Sequence, residues 1–71
     1  MVAKKGSPIT KKPIHELKMP EGSIIGGVVR GEESFIALGK HQIEAGDKVV
    51  VFALPGSTPK VEKMFLKTVF G

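Results

Sequence analysis

The chain contains no cysteine, no tryptophan and no tyrosine. Without cysteine, neither a disulfide nor a thiolate metal site can brace it, an absence compatible with the cytosol and equally with export. Four phenylalanines are the whole aromatic complement, and the pattern assigns them to core and helix, which leaves nucleic-acid bases nothing to stack on. No apolar run approaches the ~20 residues that a membrane-spanning helix needs, and the N-terminus lacks the apolar centre of a signal peptide. Acidic residues are missing from the first dozen positions, where Lys4, Lys5, Lys11 and Lys12 cluster; from Pro13 onward seven basic residues face seven acidic ones, so the net charge of +4 belongs to the N-terminal part. A basic tail on a neutral body is a weaker sign of nucleic-acid binding than a basic stripe across a folded face. At 71 residues the chain makes one domain, or part of one, with a marginal core, burying only ~60% of its unfolded surface. Association with another chain is the remaining support.

What is present is led by the stretch Gly46 to Pro55, the longest β-branched apolar run. It reads as a central strand with Val49, Val51 and Ala53 on one face and Val50, Phe52 and Leu54 on the other. Both faces are apolar, so both require a cover. Upstream, Ala45-Gly46-Asp47 reads as a tight turn in which Gly46 takes positive φ and the Asp47 carboxylate accepts nearby backbone N–H groups. Ser23 to Arg30 reads as a second strand, with Ile25 and Val29 on one face and Ile24 and Val28 on the other. The pair Gly26-Gly27 inside it marks a bulge or a close approach of backbone or ligand. Ser34 to Leu38 follows the polar turn Gly31-Glu32-Glu33 as the partner arm of a hairpin, and Ile43 tucks under the polar crossing from Gly39 to Glu44. Pro13 opens a single turn that places Ile14 and Leu17 on one face, closed by Pro20. At the C-terminal end, Ser57-Thr58-Pro59 reads as a hydroxyl cap followed by proline, and Val61, Met64, Phe65 and Val69 form the apolar face of an amphipathic helix. That helix covers one sheet face; a two-fold partner is the economical cover for the other.

Catalytic chemistry is not written in this sequence. The two histidines, His15 and His41, lack zinc-site spacing, and none of the serines stands in a nucleophile-elbow setting. The glycines from Gly22 to Gly31 lie within and around a strand rather than between strand and helix, so they form no phosphate loop. Arg30 has two readings: a surface pair with Glu32-Glu33, or an anion contact at a strand end.

Taken in order, Ser7 to Lys12, Ile14-His15-Glu16-Leu17, Leu17 to Gly22, Ile25 to Arg30 and Ile43 to Phe52 resemble the C-terminal domain of the TrkA family, the second half of the potassium-conductance regulator module called RCK. The arginine-ended strand and the Ala-Gly-Asp turn feeding an apolar strand are the more specific parts. The resemblance implies an α+β fold, β-α-β-β-β-α: a small, mainly antiparallel sheet of three to four strands with a C-terminal helix on one face. Residues 1–6 would be a basic tail or the remnant of a truncated first strand, and residues 7–71 the domain. It further implies a non-enzymatic, cytoplasmic regulatory domain of a potassium uptake system or channel, forming a homodimer and joined to its membrane partner through an upstream domain. The nucleotide-binding Rossmann half is not in this sequence, so NAD or ATP binding does not carry over. A small regulatory ligand such as cyclic di-AMP, bound by some relatives across the dimer, would fall near Lys18, Ile24, Ile25 and Ala37. Departures from the family pattern are Lys11 in place of a frequent glycine, Ala37-Leu38 in place of proline and a basic residue, and Pro20-Glu21 where a basic residue precedes the strand. The alternative reading is a small basic nucleic-acid-binding β domain, and a third is a small-molecule sensor unrelated to transport.

Overall fold

The fold comes from a computed structural model that describes residues 1–66. Three antiparallel strands, β1 (Ser23–Arg30), β2 (Glu33–Ile36) and β3 (Lys48–Ala53), form one sheet in the order β2-β1-β3. The predicted α+β class and the sheet with a C-terminal helix on one face are therefore present. The middle strand, however, is β1 rather than the Gly46 to Pro55 stretch. On its outer side β3 meets only the first few residues: Val2 bridges to Lys48, Val49 N–H donates to Met1 O at 2.6 Å, and Ala3 N–H donates to Asp47 O at 2.9 Å. Ala3 is buried in the core, so this part of the N-terminal stretch is packed against the sheet despite the exposed lysines that follow it.

The alternation in β1 is broken by a bulge between Ile25 and Gly27. Ile25 opposes Val51 and Val28 opposes Val49, so Ile25 and Val28 share the core face although three residues separate them. The sequence assigned them to opposite faces because a bulge shifts the period-two pattern by one residue. Val49, Ile43, Ile9 and Ala3 complete the buried layer with Val61 and Phe65 of the helix α1 (Thr58–Leu66). Val61 and Phe65 are the buried residues of α1, Met64 packs at the edge of the core, and Lys60, Glu62 and Lys63 face water. Val69, expected on the same apolar stripe, lies outside the described residues.

Two single-turn 3₁₀ helices, Pro8–Thr10 and Ile14–Glu16, carry the chain across the helix side of the sheet. The first buries Ile9 completely, and the second brings Ile14 and Leu17 against the core as their spacing predicts. The hydroxyl cap read from Ser57-Thr58-Pro59 does not form: α1 already begins at Thr58, whose hydroxyl donates back to Leu54 O at 3.4 Å. The hydroxyl of the buried Ser57 donates to Glu21 O, tying the start of the helix to the loop before β1. At the other end of α1 the Phe65 carbonyl accepts from Lys4 N–H at 3.0 Å, one of the last-turn carbonyls that a helix cannot satisfy internally.

Candidate functional site: an open sheet face and an arginine-aspartate lock

Antiparallel register places facing residues on the same side of the sheet. Ile24 opposes Phe52, Gly27 opposes both Val50 and Ile36, and Leu54 continues the parity of Phe52. These residues form the face away from α1, and nothing in the described chain covers it: Ile24 is 63% exposed, Phe52 63%, Leu54 65% and Ile36 74%. Phe52, which composition assigned to the core with the other phenylalanines, is thus a surface residue. Its ring lies across Gly26, where an added Cβ would sit 2.6 Å from Phe52 Cε2. The bulge glycine is the seat on which this aromatic side chain lies flat. Two shallow grooves flank the ring, one along Gly22, Ile24, Phe52 and Leu54, the other along Gly27, Ile36 and Val50. A contiguous exposed apolar area on a small soluble domain marks an interaction surface.

The strand end beside this face is locked by charge. Arg30 Nε donates to Asp47 Oδ1 at 2.9 Å and Arg30 Nη2 to Asp47 Oδ2 at 2.8 Å, a two-point pairing across β1 and the turn before β3. The guanidinium also donates to Gln42 O at 3.1 Å, lies 3.1 Å from Glu44 Oε2 and stands 5.2 Å from the Phe35 ring centre. Asp47 is 2% exposed, and its Oδ2 accepts Glu44 N–H at 2.8 Å as the turn reading requires. The hydrogen bonds from Arg30 outweigh desolvation and hold the Asp47 carboxyl below the ordinary carboxylate range, while the same contact raises the Arg30 pKa. Gly46 has φ of 89°, the left-handed backbone that puts Asp47 in reach of both partners. The pairing with Glu32-Glu33 expected for Arg30 is replaced by a long-range one, because residues far apart in sequence meet at the end of the sheet. A sequence clue to it existed: an arginine ending one strand and an aspartate opening an antiparallel neighbour.

The residues named from the sequence as ligand contacts do not converge in one pocket. Ile24 lies on the open face; Ile25 is buried on the opposite one, and Ala37 is half-buried against the same core. Arg30 is engaged with Asp47 and Glu44. Lys18 lines a separate groove with Leu17 and Met64 on the helix side. Of the histidines, His41 packs against Phe35 with ring centres 4.7 Å apart and planes inclined at 57°, and accepts Leu38 N–H at Nδ1, and His15 Nδ1 donates to Gly39 O at 2.7 Å. Among the described residues no cluster of three or more His, Cys, Asp or Glu side chains could hold a metal ion, and no helix is long and apolar enough to cross a membrane.

Fold and face together define a small α+β domain with one sheet side filled by its own helix and the other left apolar and open. Residues 1–66 match the TrkA-C domain family, and the chain belongs to that family. It is 40% identical over 63 residues to a Trk system potassium uptake protein TrkA homolog 1 of Methanosarcina mazei, covering 89% of this chain and 14% of that protein. It is 37% identical over 65 residues to the Trk system potassium uptake protein TrkA of Haemophilus influenzae, covering 90% and 14%. A TrkA homolog of Archaeoglobus fulgidus is 39% identical over 54 residues, covering 76% and 12%. The chain thus corresponds to about one seventh of the length of the curated relatives it matches.

Proposed function

We propose that this chain is a dimerising regulatory domain of a potassium uptake system, without catalytic activity of its own. The observation that carries the reading is the exposed apolar face of Ile24, Ile36, Val50, Phe52 and Leu54, joined to membership of a family whose relatives are named as potassium uptake proteins. A second copy related by a two-fold axis presents the same face to it, so each copy covers the other. The mechanism is a shift between dimer arrangements: a contact that favours one arrangement moves the population, and the attached parts of the longer protein pass the change to a membrane transporter or channel subunit. The domain works in the cytoplasm, at the membrane through that partner. A small regulatory ligand such as cyclic di-AMP, held between the copies beside Ile24, is the input this arrangement suits.

Sedimentation velocity tests the dimer. A concentration-dependent dimer at high micromolar chain, converted to monomer by Phe52→Asp with an unchanged circular dichroism spectrum, is the expected result; a monomer throughout overturns it. Calorimetry against cyclic di-AMP tests the input separately, with Ile24→Asp as control. Saturating heat that the control abolishes supports the ligand, and a flat titration removes it while leaving the dimer standing.

A further inference from the structure

A second surface lies on the opposite side of the molecule from the open sheet face. Between the Pro8–Thr10 turn, the Leu17-Lys18 segment and α1 runs a groove of about 310 Å³. Its floor is apolar: Pro8, Leu17 and Met64, all half-buried and none filling the space between them. Its rim is cationic, formed by Lys11, Lys12 and Lys18, three exposed lysines. Glu16 is the acidic residue at the rim, and its carboxylate lies 3.9 Å from His15 Nε2. Lys11, Lys12 and Lys18 make no ion pair among the described residues. Lys11 and Lys12 belong to the acid-free opening of the chain, so two of its four lysines are brought by the fold to the lip of an apolar slot.

We infer that this groove docks an acidic peptide segment, seating one apolar side chain against Leu17 and Met64 while flanking carboxylates meet Lys11, Lys12 and Lys18. Charge complementarity selects the sign of the partner and guides its approach. The apolar floor supplies the anchor, and methionine at its centre adapts to the side chain that enters. A segment fits better than a small anion. Small-molecule sites fix their ligands with several converging polar groups, whereas the charged donors on this rim, among the described residues, are three exposed lysines. The site stands apart from the dimer face and does not depend on it.

The test is fluorescence anisotropy on the 71-residue chain, using a fluorescein-labelled oligo-glutamate peptide with one central leucine and the same peptide with glycine in its place. The leucine peptide is expected to bind at low salt and the glycine peptide several-fold more weakly. Replacing the three lysines together (Lys11→Gln, Lys12→Gln, Lys18→Gln) should weaken binding about tenfold, each exposed charge contact being worth a factor of about two. Amide shifts on titration should fall at residues 8–18 and around Met64, and Phe52→Asp should leave the affinity unchanged. Equal affinity for the two peptides, an unaffected triple variant, or shifts centred on the open sheet face would each overturn the inference. So would inorganic phosphate reproducing the same shifts at the same charge concentration, which would make the groove a small-anion site.

Discussion

Asp47 accepts Arg30 twice across the sheet end and Glu44 N–H once within its own turn while nearly excluded from water. A charge-assisted two-point pair of this kind is short and directional, and removing one member leaves the other partly desolvated without its partner. Asp47→Asn should therefore destabilise the domain by about 1–3 kcal/mol at neutral pH, read by urea denaturation. The acid response carries a definite sign. Because the folded-state pKa of Asp47 is depressed, its contribution is complete above the unfolded-state value of about 4 and is lost as the pH falls from there through the folded-state value. Melting temperature should drop over that range in the native chain, and Asp47→Asn should flatten the drop. A second residue-scale test concerns Gly26. A methyl there meets one edge of the Phe52 ring, Cε2 at 2.6 Å and Cδ2 at 3.2 Å, with Val50 O at an ordinary 3.7 Å, so the exposed ring has to turn aside. Gly26→Ala should thus change stability by less than about 1 kcal/mol, yet weaken self-association in sedimentation because the aromatic seat is lost. The turn chemistry of Gly46-Asp47 was legible in the sequence because it is local; the identity of the partner of Arg30 was not, because nothing in a strand's own residues says which turn will lie beside its end.

Among the described elements, α1 is the one α-helix over the core face, beside the two 3₁₀ turns, and its grip rests on Val61 and Phe65, both fully buried. Phe65→Ala removes a ring from a core of only eight buried apolar residues, at a cost of about 3–5 kcal/mol. Small domains have roughly 5–15 kcal/mol in total, so this variant should lose most of its folded population, seen as loss of the cooperative thermal transition in circular dichroism. The strands, the hairpin and the helix were all readable from alternation, turn residues and the 3.6-residue stripe. Face assignments in β1 were not, because the bulge at Gly26 changes the parity and a glycine pair does not say whether it will pleat or bulge. The hydroxyl cap read from Ser57-Thr58-Pro59 failed for a similar reason: both hydroxyls donate to carbonyls instead, Ser57 to Glu21 O and Thr58 to Leu54 O, and only the packed loop brings Glu21 there.

For the whole molecule, the proposed pairing of two copies through the open sheet face would make stability depend on concentration. If two copies cover each other, mass action raises the melting temperature as chain concentration rises. The native chain should show this rise by differential scanning calorimetry, while Phe52→Asp should melt at a temperature independent of concentration; a flat response in both would remove the dimer. By itself, the sequence determined the class of the fold, and it showed that one amphipathic helix can hide only one side of a strand that is apolar on both faces. It also carried the family resemblance that residues 1–66 bear out. Only the tertiary structure decided which strand is central, which phenylalanine is left outside, and that Lys18 and Ile24 belong to different surfaces. Those outcomes follow from strand order, a single bulge and the path of two short turns, each of which joins residues whose proximity no local pattern encodes.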